Sequence, residues 1–264
     1  MNLAADPRPD WTTWPLLICV LGNFRVLQAG QPVALRGGKV EALLCHLALH
    51  HADGVPRANL LDLLWPTSNT ALAGEALYSR IRSVHSRLSA AIGGRAPVVH
   101  VDGCYQLNVR AGVGVDAACF DALAMAGECK AQAGHEADAV RLFEHAIQFY
   151  YGDLCVQTDL YAIVERERMR ARYLGVLSYL STHAYTAGDH VTCLTYAQRL
   201  LDHDPCREDA HRLVMRCYVR RGERAQALRQ YQVCADILRL AFSATPEPET
   251  MALFERVRRD PGSV

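Results

Sequence analysis

The residues with the most distinctive chemistry lie between Thr70 and Ile92. Arg80, Arg82 and Arg87 alternate there with Ser79, Ser83 and Ser86, and Glu75 is the one carboxylate among them. At 100° per residue, Leu77, Ile81, Val84 and Leu88 fall within about 60° of one another and form an apolar stripe. The opposite face holds Glu75, Ser79, Arg82, Ser83 and Ser86. Arg80 and Arg87 share one flank; Tyr78 and His85 share the other. Guanidinium groups grip phosphate oxygens, or the O6 and N7 edge of guanine, through paired N–H bonds, and serine lets a second backbone come close. A solvated helix face more often interleaves Glu with Lys at i,i+4. The pattern fits either a nucleic-acid contact face or an arginine-rich solvated surface, and taken alone it does not separate them.

Other arrangements are weaker. His46 and His50 have the i,i+4 spacing of paired metal ligands, but no Glu completes an H-E-x-x-H, and both are expected on a solvated face. His203 with Cys206, and His211 with Cys217, are similarly bare, so no metal is expected. Gly37-Gly38-Lys39 is followed by Val40 rather than Ser or Thr, which argues against a phosphate loop. There is no G-x-S-x-G and no carboxylate pair in a compelling context. Neither an enzyme nor a cofactor is expected. Ten cysteines occur without any C-x-x-C and read as reduced, buried small hydrophobes.

The 264 residues suffice for two modest domains, and 50% apolar composition excludes wholesale disorder. Net charge is zero, yet residues 1–110 carry ten Lys and Arg against seven Asp and Glu, while the remainder is slightly acidic. No membrane-length apolar run and no signal peptide are seen, so a cytoplasmic protein is expected. Residues 1–17 read as a flexible tail. Ile18–Leu27 and Pro32–Leu35 read as strands, Lys39–Ala52 and Leu60–Trp65 as helices, and Thr70–Ile92 as a third helix. Asp102-Gly103 between two β-rich runs signals a hairpin. Strand, strand, three helices, hairpin is the order of a winged helix-turn-helix, here over 18–110, and such a fold presents its third helix to DNA.

The back segment, 113–260, is helical, with helices expected near 116–132, 135–150, 161–187, 189–202, 207–221, 223–242 and 247–259. Gly188 and Gly222 lie 34 residues apart, each followed by small and branched residues (Cys193-Leu194, Ala227-Leu228), and Gly134 with Ala139-Val140 fits the same template. That is the tetratricopeptide period. The fold class is therefore an α+β winged helix-turn-helix domain followed by an all-α tetratricopeptide-like helical domain.

Several segments resemble the Streptomyces antibiotic regulatory protein family: Leu21-Gly22-Asn23-Phe24-Arg25-Val26, Gly38-Lys39-Val40-Glu41-Ala42-Leu43-Leu44, the Arg80–Leu88 helix end, and Gly103-Cys104-Tyr105-Gln106-Leu107. The back half resembles that family's bacterial transcriptional activation domain, most closely from Arg207 to Tyr231. The family's Arg-rich helix ending reads Ser83-Val84-His85-Ser86 here. The resemblance implies an OmpR-type winged helix and an activator that binds direct repeats in promoter DNA, as a homodimer. It implies a major-groove helix using Tyr78, Ser79, Arg80, Arg82, Ser83, Ser86 and Arg87, with Arg95 and His100 near the wing. Lys39 at the start of the first helix is a further phosphate contact. The loop Pro66, Thr67, Ser68, Asn69, Thr70 is implied to face RNA polymerase or sigma factor. The alternative is a protein-interaction or small-effector sensor module whose winged helix is a degenerate scaffold.

Overall fold

The computed structural model describes residues 14–35, 37–156 and 160–263. The chain divides into two compact units, Met1–Arg170 and Ala171–Val264. Residues 1–13 of the tail expected over 1–17 lie outside the described residues, but Leu16 and Leu17 are not tail: both are fully buried at the start of the first strand, because that strand pairs on both edges.

In the first unit, β1 (Leu16–Cys19) and β2 (Arg25–Gln28) pair antiparallel, with Leu16 opposite Gln28 and Cys19 opposite Arg25. The single strand expected over Ile18–Leu27 is thus a hairpin. Gly22, at φ 87°, occupies the left-handed region and turns the chain after Leu21. β3 is only Gln31–Pro32, shorter than the Pro32–Leu35 expected, because the chain leaves the sheet edge once the Val33 N–H has bonded to the Val26 carbonyl.

Helix α1 (Gly38–Leu49) follows, then β4 (Val55–Pro56), α2 (Arg57–Leu64) and α3 (Thr70–Leu88). α1 packs against β1, α2 and α3, so more of it is covered than one apolar stripe requires. His46 is consequently buried, against its expected place on a solvated face. The hairpin of β5 (Val98–Val101) and β6 (Cys104–Leu107) turns at Asp102 and Gly103, φ 49° and 83°, the paired positive angles of a tight type I′ turn. β6 also pairs with β4, Val55 opposite Tyr105, giving a three-stranded sheet in the order β4-β6-β5.

One strand had no sequence signal. β7 (Val113–Val115) runs parallel to β1 and completes a sheet in the order β3-β2-β1-β7. Its three residues are too few to show a period, but β1 is fully buried because it has neighbours on both edges. Asp116 comes next, as the first residue of α4 (Asp116–Gln132). Its buried carboxylate accepts the backbone N–H groups of Val20 (2.8 Å), Leu21 (3.0 Å) and Ala117 (2.7 Å). Burial pushes its pKa up to about 7, against the opposing pull of those three amides. α5 (Glu136–Ala146) packs on α4. It ends before the expected Tyr150 because residues 148–150 tighten into i to i−3 bonds. The chain then passes back along the end of β1: Gly22 N–H donates to Asp153 O (3.0 Å), and Cys155 N–H donates to Val20 O (2.8 Å).

α6 (Leu160–Thr186) contains the division between the units. The second unit continues with α7 (His190–His203), α8 (Glu208–Arg220), α9 (Arg224–Phe242) and α10 (Pro248–Arg259). The repeat has a physical basis. Gly134, Gly188 and Gly222 all adopt φ near 80° (77°, 80° and 77°) where a helix ends. In each case the next residue's N–H reaches back to close the turn: His135 to Lys130 O, Asp189 to Ala184 O and Glu223 to Tyr218 O. Five residues after each glycine stands a small, fully buried side chain, Ala139, Cys193 or Ala227, which lets the returning helix approach closely. No helix among the described residues is long and apolar enough to cross a membrane. Of the cysteines expected to be buried, Cys19, Cys45, Cys193, Cys217 and Cys234 are so, whereas Cys129 is exposed.

Two outcomes follow from this packing. Asp116→Asn would turn an NH2 group toward backbone donors and should destabilise the chain by roughly 1–3 kcal/mol. Unfolded Asp titrates near 3.8 and the folded group near 7, so its contribution is fully present below the lower value and is lost as pH rises through the higher. The wild type's advantage over Asp116→Asn in urea denaturation should shrink between about pH 4 and about pH 7; a constant gap would contradict this. A Cβ on Gly127 of α4 would lie 2.6 Å from the Phe143 ring, whose side chain is itself buried. Gly127→Ala should therefore lower stability by roughly 1–3 kcal/mol despite alanine's better helix propensity, as read by thermal unfolding.

Candidate nucleic-acid interface

α2 stops at Trp65-Pro66, and α3 restarts from Asn69, whose side chain accepts the Ala71 N–H at 2.8 Å. The inward side of α3 is Ala73, Leu77, Val84 and Leu88. Ile81, expected in that stripe, is half-buried, and Ala73 takes a place in it instead. Fixing one face this way determines which residues look outward.

Tyr78, Ser79, Arg80, Arg82, Ser86 and Arg87 are exposed, and Ser83 is half-buried. The Ser86 hydroxyl donates back to the Ser83 carbonyl (3.0 Å). The Arg80, Arg82 and Arg87 guanidiniums take part in no ion pair among the described residues; Arg87 makes only a long 3.5 Å approach to the Ala34 carbonyl. Several arginines of the later helices, unlike Arg216, Arg220, Arg229 and Arg256 among the described residues, are paired. Arg168 is held by Asp121 and Glu165, Arg207 by Asp209, Arg212 by Glu247, Arg221 by Glu223 and Arg258 by Glu255. Forming an ion pair partly neutralises the cation; the α3 arginines keep their field.

Arg57, the first residue of α2, is a cation that sequence reasoning missed. A Cβ on Gly74 would lie 2.2 Å from its Nη2, so the absence of a side chain at Gly74 makes room for this guanidinium against α3. Gly74, Tyr78 and His85 fall within about 40° on the helix, so Arg57 borders the flank opposite Arg80 and Arg87. A small residue facing a distant arginine leaves no local sequence signal.

Lys39 is exposed near the start of α1, with its ammonium 4.5 Å from the centre of the Trp65 ring. Gly37 precedes that helix and gives no side-chain cap, and the Val40 N–H bonds back to the Gly37 carbonyl at 2.9 Å. Arg95 and His100 are exposed, Arg95 reaching the Arg110 carbonyl at 3.4 Å and His100 lying 4.6 Å from the Tyr105 ring. Pro66, Thr67, Ser68, Asn69 and Thr70 are all exposed, with Leu72 beside them also open to solvent. The seven α3 residues thus share one element, whereas Lys39, Arg95 and His100 sit on others. His46 and His50 have rings 4.7 Å apart, but among the described residues no cluster of three His, Cys, Asp or Glu could hold a metal ion.

Residues 115–258, more than half the chain, match the family model of the bacterial transcriptional activator domain. No curated protein sequence matches. Among solved structures the chain is similar to Mycobacterium tuberculosis EmbR in complex with a low-affinity phosphopeptide, at 21% identity and TM-score 0.69. That likeness covers 93% of this chain and 65% of the EmbR chain, so this chain spans under two thirds of EmbR's length. It is also similar, at 11% identity and TM-score 0.42, to the C-terminal TPR-containing domain of a Plasmodium falciparum protein named for FK506 binding, over 56% of this chain and 91% of that one. The EmbR likeness establishes the arrangement of a small sheet-bearing front and a helical back. The match that begins at β7 and ends in α10 places the protein in the bacterial transcriptional activator domain family.

Proposed function

We propose that the chain is a sequence-specific DNA-binding transcriptional activator, with α1, α2, α3 and the β5–β6 hairpin acting as a winged helix-turn-helix. The observation that carries this reading is the outward arginine and serine face of α3, whose guanidiniums form no ion pair among the described residues. α3 enters the major groove. Arg80, Arg82 and Arg87 contact phosphates or guanine edges, and the serines and Tyr78 fill the space between them. Lys39 and the α1 amides hold a backbone phosphate, and Arg57 supplies a cation on the far flank. The hairpin, with Arg95 and His100, lies along the adjacent backbone. The activator function of the family supports a role for the Pro66–Thr70 loop and the helical region in contacting RNA polymerase or sigma factor. It also supports binding to promoter repeats as a homodimer in the cytoplasm.

A second reading is favoured by one feature of the second unit. A groove of about 440 Å³ is lined by Ser178, Ser181, Thr182 and Tyr185, by the apolar Leu200, Ala210 and Leu213, and by Arg212 and Arg216 beside Asp209 and Glu249, a mixed surface able to take a peptide or small effector. In that reading the front of the chain is a scaffold without DNA affinity. Retention of DNA by the purified protein at low salt separates the two.

Mobility-shift titration at several salt concentrations, on duplexes selected from sheared genomic DNA, tests the proposal. Removal of a phosphate contact by Arg82→Ala or Arg87→Ala should reduce the slope of log affinity against log salt by about one. Loss of a bidentate base contact should cost roughly 1–3 kcal/mol and relax preference at one position. Unchanged affinity and slope in both variants would remove α3 from the interface.

A further inference from the structure

Two cysteines outside the α3 face are placed to react with each other. Cys45 lies on α1, and Cys155 lies on the segment that passes back along β1; they are 110 residues apart in sequence, and their sulfurs are 3.9 Å apart. Cys45 is buried, whereas Cys155 is half-buried. Cys155 lies outside any helix or regular strand, its N–H bonded to Val20 O, and the Arg166 guanidinium holds the carbonyls of Leu154 and Val156 on either side of it. The half-buried Cys155 side chain can rotate about Cα–Cβ on this fixed backbone to bring the two sulfurs to about 2.05 Å. A second close pair provides the comparison. Cys193 and Cys217 are 3.2 Å apart, but both are fully buried between two helices, out of reach of an oxidant in solution.

We propose that Cys45 and Cys155 form a reversible disulfide when the protein meets a peroxide, locking the 153–155 segment onto α1. The Cys155 thiol first releases its proton; the thiolate attacks one peroxide oxygen, the O–O bond breaks, and a sulfenic acid forms while the departing hydroxide takes up that proton as water. The Cys45 sulfur then attacks the sulfenic sulfur. Its thiol proton leaves with the departing hydroxyl as a second water. Two thiols and one hydrogen peroxide give one disulfide and two waters. Cys155 is the initiator because it is the more accessible of the two, and a hydrogen bond from Cys45 lowers its pKa, while burial and that same bond raise the pKa of Cys45. The lock joins the last stretch before α6 to the helix on which α3 packs. It does not depend on what α3 binds.

Tryptic digestion gives a direct readout, because residues 40–57 and 142–166 are each bounded by cleavage sites and contain one cysteine. The full chain, reduced and then exposed to hydrogen peroxide before thiol blocking, should yield these two peptides as a linked pair. The pair should form at least tenfold faster than any link between Cys193 and Cys217, and dithiothreitol should reverse it. Closing so long a loop should raise the melting temperature of the oxidised protein. Cys129→Ser, which alters an exposed thiol, should retain both effects; Cys155→Ser should lose both. Absence of the linked pair under conditions that oxidise Cys129 would overturn the proposal, as would a linked pair without any rise in melting temperature.

Discussion

A single carboxylate sealed from water holds the front of this protein together. Asp116 takes two amides from the end of β1 and one from its own helix start. Those amides would otherwise be stranded where the strand stops pairing, and an unmet buried donor costs more than a bond made elsewhere gains. The same residue ties the start of α4, directly after β7, to the end of β1. The returning segment at 153–155 then meets the next backbone groups of the same strand end. Sheet, hairpin and first activator-domain helices are therefore a single compact unit, and the sheet is shaped by residues from both ends of that unit.

Charge is distributed by a different rule in each part of the chain. In the later helices carboxylates sit within reach of many arginines, some three residues away on the same helix and others on a neighbouring one, such as Glu247 with Arg212. On α3 the outward positions carry hydroxyls instead, and among the described residues the guanidiniums form no ion pair. An exposed ion pair contributes little to stability, so the difference matters less for folding than for the field each surface presents. Repetition organises the rest. A left-handed glycine, a closing backbone bond and a small buried residue five positions on recur at 134, 188 and 222, each making a tight helical hairpin.

The features legible in the sequence were those with a local cause. The period of Leu77, Val84 and Leu88 placed the α3 face, Asp102-Gly103 placed the hairpin, and the glycine spacing placed the helical repeats. The features that escaped depend on distant partners. Val113-Gly114-Val115 becomes a strand only because β1 offers an edge. Asp116 is an ordinary helix-start carboxylate until Val20 and Leu21 are brought to it. Arg57 comes against α3 through a notch at Gly74, and His46 is buried because α1 is covered on several sides. Gly22 was read as part of a strand because the β-forming residues around it outweighed its own freedom to turn.

The most direct measurement is genome-wide dimethyl sulfate footprinting in cells producing the protein. Binding through α3 predicts protection of guanine N7 atoms, which lie in the major groove, at repeated positions upstream of promoters. Protection confined to minor-groove adenine N3, or no protection anywhere in the genome, would contradict it.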